Sequence, residues 1–167
     1  MAAGEDPFVG RDAELRRLGA LVDGARDGAG GAVLVEGPPG IGKTRLVAEA
    51  MARSGLAGDR IRTAGCPADE AVPFGVVATA LGLDRRGADA ATEGFDSLWR
   101  QIDETVDSVE RLASEAALVI VVDDVQWSDR ATLLALRELS HRAPASSLAV
   151  VMTRRPVDRS TVTAFDD

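Results

Sequence analysis

The chain has 167 residues, 46% hydrophobic and 28% charged, with a formal net charge of −8, which is the length of one domain able to bury roughly 68–70% of its unfolded surface. The acidic balance opposes a grip on a nucleic-acid backbone, which rests on phosphate neutralisation, and the longest apolar run, Ala116 to Val122, falls far short of the ~20 residues that span a bilayer. A single cysteine, Cys66, leaves no intrachain disulfide and reads as a buried free thiol, and the acidic start MAAGEDPF lacks the charge and apolar stretch of a secretory leader, so the expectation is a cytoplasmic chain with no membrane contact.

In chain order, Leu15, Leu18, Leu21 and Val22 at helical spacing predict an amphipathic helix over 11–22, with Asp12 and Glu14 at the end where the helix dipole favours acids. DGARDGAGG, residues 23–31, reads as a flexible connector. Residues 32–36 read as a short buried strand, and 43–53 as a helix with Leu46, Val47, Ala50 and Met51 on one side. A second strand is expected over 61–65, a helix around 76–83 and a polar loop over 84–94. Phe95, Leu98, Trp99, Ile102, Val106, Val109 and Leu112 follow three and four apart, a long helix whose apolar stripe packs into the core. Then come ALVIVVDD, an apolar run ending in two acids, a helix over 129–142 and a last strand, SLAVVMT. Strands alternating with helices, and strands that are apolar almost throughout, predict a parallel sheet covered on both faces.

Lys43 is the only lysine beside eighteen arginines in a chain with no asparagine and no tyrosine. Where arginine is otherwise preferred, a retained lysine marks a place for a compact ammonium rather than a broad planar guanidinium. Its surroundings explain it. Gly37, Pro38, Pro39, Gly40, Ile41, Gly42, Lys43 and Thr44 match G-x-x-x-x-G-K-[ST] completely, between a strand and a helix. The glycines let backbone N–H groups curl inward, the helix adds its positive end, and the product is an anion cradle. The motif assigns Lys43 to the β- and γ-phosphates and the Thr44 hydroxyl to Mg²⁺.

A cradle needs a metal ligand opposite it. Asp123 closes the apolar run Val119 to Val122, at the carboxyl edge of a strand, where open α/β sheets bind ligands. A carboxylate there can hold Mg²⁺ through its water shell, and Asp124 is the candidate for orienting an attacking water.

With these motifs placed, the chain resembles a STAND-type ATPase domain related to AAA+ proteins, and most of all the large ATP-binding LuxR-type transcriptional regulators of actinobacteria. FVGRDAELRRL is similar to that family's entry motif, GPPGIGKTRLVAE to its Walker A, VIVVDDVQWSD to its Walker B and VVMTRRP to its sensor-1 strand. The resemblance runs from Phe8 to about Pro156. It implies a three-layer α/β P-loop NTPase fold with a mostly parallel sheet flanked by helices, with residues 1–156 as the ATP-binding domain and 157–167 as a tail. ATP or ADP with Mg²⁺ is the implied cofactor, and slow hydrolysis serving a regulatory switch is the implied activity. By the same resemblance the backbone around Phe8, Val9, Gly10 and Arg11 borders adenine, with Arg11 equally readable as a solvated helix-start residue. Nucleotide contacts extend to Arg45.

Thr153, Arg154 and Arg155 all compete for the sensor-1 place, and Arg155, directly before Pro156, fits the family pattern best. Catalysis then falls to Asp124, Lys43 and Arg155. Trp127 reads as packing, Ser128 as the cap of the next helix and His141 as a charge near that helix's end. Relative to the family the chain stops early, so a DNA-binding part and self-association are expected of a longer protein. Two alternatives stay open: a self-sufficient ATPase that remodels a partner, and the ATPase module of a signalling kinase or cyclase. No N-K-x-D motif reads guanine, an absence that by itself leaves GTP open.

Overall fold

The computed structural model describes residues 10–66 and 95–156, and over them strands and helices alternate as the sequence requires. In chain order these are α1 (Asp12–Arg26), β1 (Gly31–Glu36), α2 (Lys43–Ser54), β2 (Ile61–Gly65), α3 (Phe95–Glu115), β3 (Leu118–Asp123), α4 (Arg130–Arg142) and β4 (Leu148–Arg154). The helix expected over 76–83, the loop over 84–94 and the tail over 157–167 lie outside the described residues. No described helix is long and apolar enough to cross a membrane.

The four strands form one parallel sheet in the order β1-β4-β3-β2. Side chains alternate across it. Leu118, Ile120 and Val122 of β3, with Leu148, Val150 and Met152 of β4, pack against α3 and α4, while Val119, Val121, Ala149 and Val151 pack against α1 and α2. The two central strands are thus buried on both faces, which is why they read as unbroken apolar runs. The expected three-layer α/β arrangement is the one observed.

On α3 the stripe is realised at Ile102, Val106, Val109 and Ala113, each at most 2% exposed. Trp99, expected on the same stripe, is 42% exposed instead, one turn before the point where the helix meets the sheet. The first helix also runs further than its leucines indicate. Ala25 extends the buried stripe of Leu15, Leu18 and Val22, so α1 continues to Arg26 through residues whose small size hid the periodicity.

The glycine-rich connector proves tight rather than flexible. A Cβ on Gly30 would stand 1.9 Å from the Leu148 carbonyl oxygen, and one on Gly24 would stand 2.5 Å from that of Ala29. Glycine is there because two backbones touch.

The cap of α4 is also one residue later than expected. Asp129, not Ser128, accepts from the N–H groups of Ala131 at 2.9 Å and Thr132 at 3.0 Å, satisfying donors that a helix start leaves unpaired. The carboxylate also suits the positive end of the dipole better than a hydroxyl. The Ser128 hydroxyl instead lies 2.9 Å from Cys66 Sγ. His141 sits in the last turn of α4 beside Arg142, as expected. Asp129→Ala should lower stability by about 1 kcal/mol, read as a reduced midpoint in chemical denaturation; an unchanged midpoint would remove the cap from the account.

Candidate functional site

Between β1 and α2 the chain turns through residues 37–42. Gly40 and Gly42 take φ of +76° and +91°, backbone that side chains rarely adopt, and this curls the loop over the first turn of α2. The loop is tied to β4 at its base, where Gly37 N–H donates to the Arg154 carbonyl at 3.3 Å, and the Glu36 carboxylate pairs with the Arg154 guanidinium.

Lys43, the single lysine, is 7% exposed. Its Nζ donates to the carbonyls of Gly37 at 2.9 Å and Pro38 at 3.3 Å, which puts the ammonium inside the curl. Pro38, Pro39, Gly40 and Ile41 are exposed around it. Arg11, whose role the sequence left open, donates through Nη2 to the Ile41 carbonyl at 2.8 Å and so braces the loop tip. Gly10 precedes it with φ +84°. Phe8 and Val9 lie outside the described residues. Arg45 stands exposed on the first turn of α2.

The two motifs meet although 79 residues separate them: Thr44 Oγ1 donates to Asp123 Oδ2 at 2.7 Å. The other carboxylate oxygen, Oδ1, accepts from the Thr153 hydroxyl, and the same hydroxyl accepts the Asp124 N–H at 2.9 Å. Thr153 is wholly buried, so its donor is spent on Asp123 while its lone pair holds the next residue. Parallel pairing of β3 with β4 makes this possible by bringing the carboxyl ends of both strands to one edge.

Asp124 has φ +56°, the one positive φ of a non-glycine among the described residues. Gln126 Nε2 donates to its Oδ1 at 2.9 Å, and the Arg155 guanidinium lies 3.8 Å from its Oδ2. The three basic or hydroxyl candidates after β4 therefore separate in space: Thr153 turns inward to Asp123, Arg154 turns to Glu36 and Arg155 faces Asp124.

A cleft of about 420 Å³ opens at the ends of β2 and β3, with Gly65, Cys66, Asp123 and Asp124 on its wall. Burial pushes the Cys66 thiol up from its ordinary value; the Ser128 hydrogen bond opposes this, and the charges of Asp129, Asp123 and Asp124 reinforce it. The thiol is thereby kept protonated and unreactive at neutral pH. Trp127, expected as packing, is 43% exposed, since the 3₁₀ turn Val125–Trp127 sends Val125 into the core and the indole outward.

The Thr44 hydroxyl and Asp123 carboxylate form a pair of hard oxygen donors beside the cradle, a set that fits Mg²⁺. Among the described residues no group of three or more His, Cys, Asp or Glu converges on a metal position. A small cation here would complete its shell with water and phosphate oxygens, as Mg²⁺ does. The sequence did not reveal the hydroxyl bridge at Thr153 or the Gln126–Arg155 contact, because each joins residues about thirty apart that only the pairing of β3 with β4 brings together.

A family model described as AAA ATPase domain matches residues 7–151. Among solved structures, Aeropyrum pernix ORC1 in complex with DNA is similar at 22% identity and TM-score 0.59, over 92% of this chain and 41% of that one. Drosophila ORC bound to DNA is similar at 16% identity and TM-score 0.54, over 95% of this chain and 41% of that one. At such identities the likeness shows the fold alone. An uncharacterized protein of Rhizobium meliloti is 44% identical over 48 residues, which is 29% of this chain and 5% of that protein. The chain thus spans less than half the length of each of these proteins.

Proposed function

Because the chain belongs to the AAA ATPase domain family, a family of nucleotide-binding P-loop proteins, we propose that it is the ATP-binding, slowly hydrolysing switch domain of a LuxR-type transcriptional regulator. The single observation that carries the nucleotide site is the hydrogen-bond chain Thr44–Asp123–Thr153, which joins the phosphate loop to the ends of both central strands. In this reading the loop N–H groups from Gly40 to Thr44 and the Lys43 ammonium bind the phosphates, Gly37, Pro38 and Pro39 shape the loop around them, and Arg45 flanks them. Thr44 and Asp123 hold Mg²⁺, which supplies charge neutralisation at the transferred phosphoryl group. Asp124 orients water, and Arg155 lends positive charge toward the terminal phosphate.

Phe8, Val9, Gly10 and Arg11 border the adenine, with the Arg11 side chain acting through the loop tip. The regulatory part of the reading is supported by the FVGR and DDVQWSD motifs flanking the site. The DNA in the ORC structures belongs to those proteins, and with a net charge of −8 this segment is assigned no nucleic-acid grip of its own. DNA binding and self-association are assigned to a longer protein.

Calorimetric titration with ATP and ADP, with and without Mg²⁺, tests the reading, and single-turnover hydrolysis separates its two forms. Magnesium-dependent binding with negligible turnover supports a switch; steady turnover by this chain supports a remodelling ATPase; no binding by the folded chain sinks both. Asp123→Ala should abolish most of the magnesium dependence of ATP binding while leaving metal-free binding close to that of the parent chain. Magnesium dependence that survives the substitution would mean the metal ligand lies elsewhere.

A further inference from the structure

Glutamine is scarce here. The chain has no asparagine and two glutamines, Gln101 and Gln126, so a carboxamide at position 126 invites the question that Lys43 raised in the phosphate loop. Its partners give an answer. Nε2 donates to Asp124 Oδ1 at 2.9 Å, and Oε1 accepts the Arg155 N–H at 3.2 Å. The orientation of the amide is forced by these partners, because a carboxylate only accepts and a backbone N–H only donates. Neither a hydrocarbon nor a carboxylate of similar length could serve both at once.

Asp124 also needs holding. Its left-handed backbone costs about 1 kcal/mol or more for a residue with a Cβ and persists only where neighbours over-determine it. Thr153 fixes its N–H, and in the turn that follows Trp127 N–H donates to its carbonyl at 3.0 Å. The side chain is fixed separately, by Gln126 on Oδ1 and, at longer range, by Arg155 on Oδ2. Thr153 is no route from β4 to that carboxylate, since its hydroxyl reaches Asp123 and backbone only.

We infer that Gln126 is a positioning residue for hydrolysis: its carboxamide ties the Asp124 carboxylate to the backbone at Arg155, so that the end of β4 and the water-orienting group move as one body. The inference rests on the reading of Asp124 given under Proposed function. The 3₁₀ turn makes the geometry possible, because it buries Val125 at 3% exposure and folds position 126 back over the β3–β4 edge. A change at the end of β4, such as one set by the charge of a bound terminal phosphate acting on Arg155, is then transmitted to Asp124 without passing through the buried threonine.

The test has two arms on the full chain. In ¹⁵N-labelled protein only two side-chain carboxamide pairs exist, which Gln101→Ala assigns. Asp124→Ala should shift the Gln126 pair and the Arg155 backbone N–H together and leave the Gln101 pair in place; an unmoved Gln126 pair overturns the tie. In the second arm, Gln126→Leu should slow single-turnover ATP hydrolysis roughly tenfold or more while calorimetric Mg–ATP affinity stays within about twofold. Gln126→Glu, which keeps the acceptor for Arg155 but loses the donor to Asp124, should slow it at least as much.

Parental rates in Gln126→Leu overturn the inference, as does an equal loss of affinity and rate, which would mark a merely structural residue. If the parent chain binds no nucleotide, the ATPase reading fails by itself, and the Asp124→Ala spectrum still decides whether the tie exists.

Discussion

Lys43→Ala should lower the affinity for Mg–ATP on the order of 10- to 100-fold or more, read by calorimetric titration. The ammonium is buried inside the curl of residues 37–42 and is already held by two carbonyl oxygens, so it stands at the place where phosphate oxygens would be met. Charge-assisted hydrogen bonds contribute roughly 1.5–3 kcal/mol each, and about 1.4 kcal/mol is a factor of ten in affinity. Lys43→Arg should lose affinity too, because a planar fork cannot occupy a space shaped for a point charge. Unchanged binding in the alanine variant, with a native circular dichroism spectrum, would refute the cradle.

Asp124→Asn should leave nucleotide binding intact and reduce turnover on the order of 10²-fold or more, the scale of a positioned acid–base group. Asparagine is the right probe for two reasons. It visits left-handed backbone almost as readily as aspartate, so φ +56° carries no new penalty, and it is nearly the same shape while lacking the negative charge. Single-turnover measurement on parent and variant decides the matter, and equal rates would take Asp124 out of the chemistry.

Much of this architecture was legible beforehand, for reasons visible in particular residues. Gly37 to Thr44 form a local motif in which every position is constrained by its neighbours, so the loop was readable in isolation. The apolar runs of β3 and β4 announced strands buried on both faces. What escaped the sequence depends on who stands beside whom across the sheet. Thr153 could not be told from Arg154 and Arg155 until β4 was paired with β3, and Gln126 could not be linked to Arg155 until both strand ends lay at one edge. Ala25, Gly24 and Gly30 carry too little side chain to show periodicity, so the end of α1 and its close-packed connector read as flexible. Asp129 outcompeted Ser128 as a cap through its charge at the helix start, a difference of one position.

The order β1-β4-β3-β2 has a consequence for how the domain is made. Its last described strand is an inner one: β4 is the bond between the phosphate-loop strand on one side and the β3–β2 pair on the other, with Gly31 opposite Ala149 and Leu118 opposite Leu148. A growing polypeptide emerging from the ribosome therefore carries its phosphate-loop strand long before β4, the strand that pairs with it, has been made. The two halves can close only when β4 is released, and closure between such distant segments makes for slow folding. Ligand present during synthesis should accordingly act late, trapping the finished sheet rather than guiding the early chain.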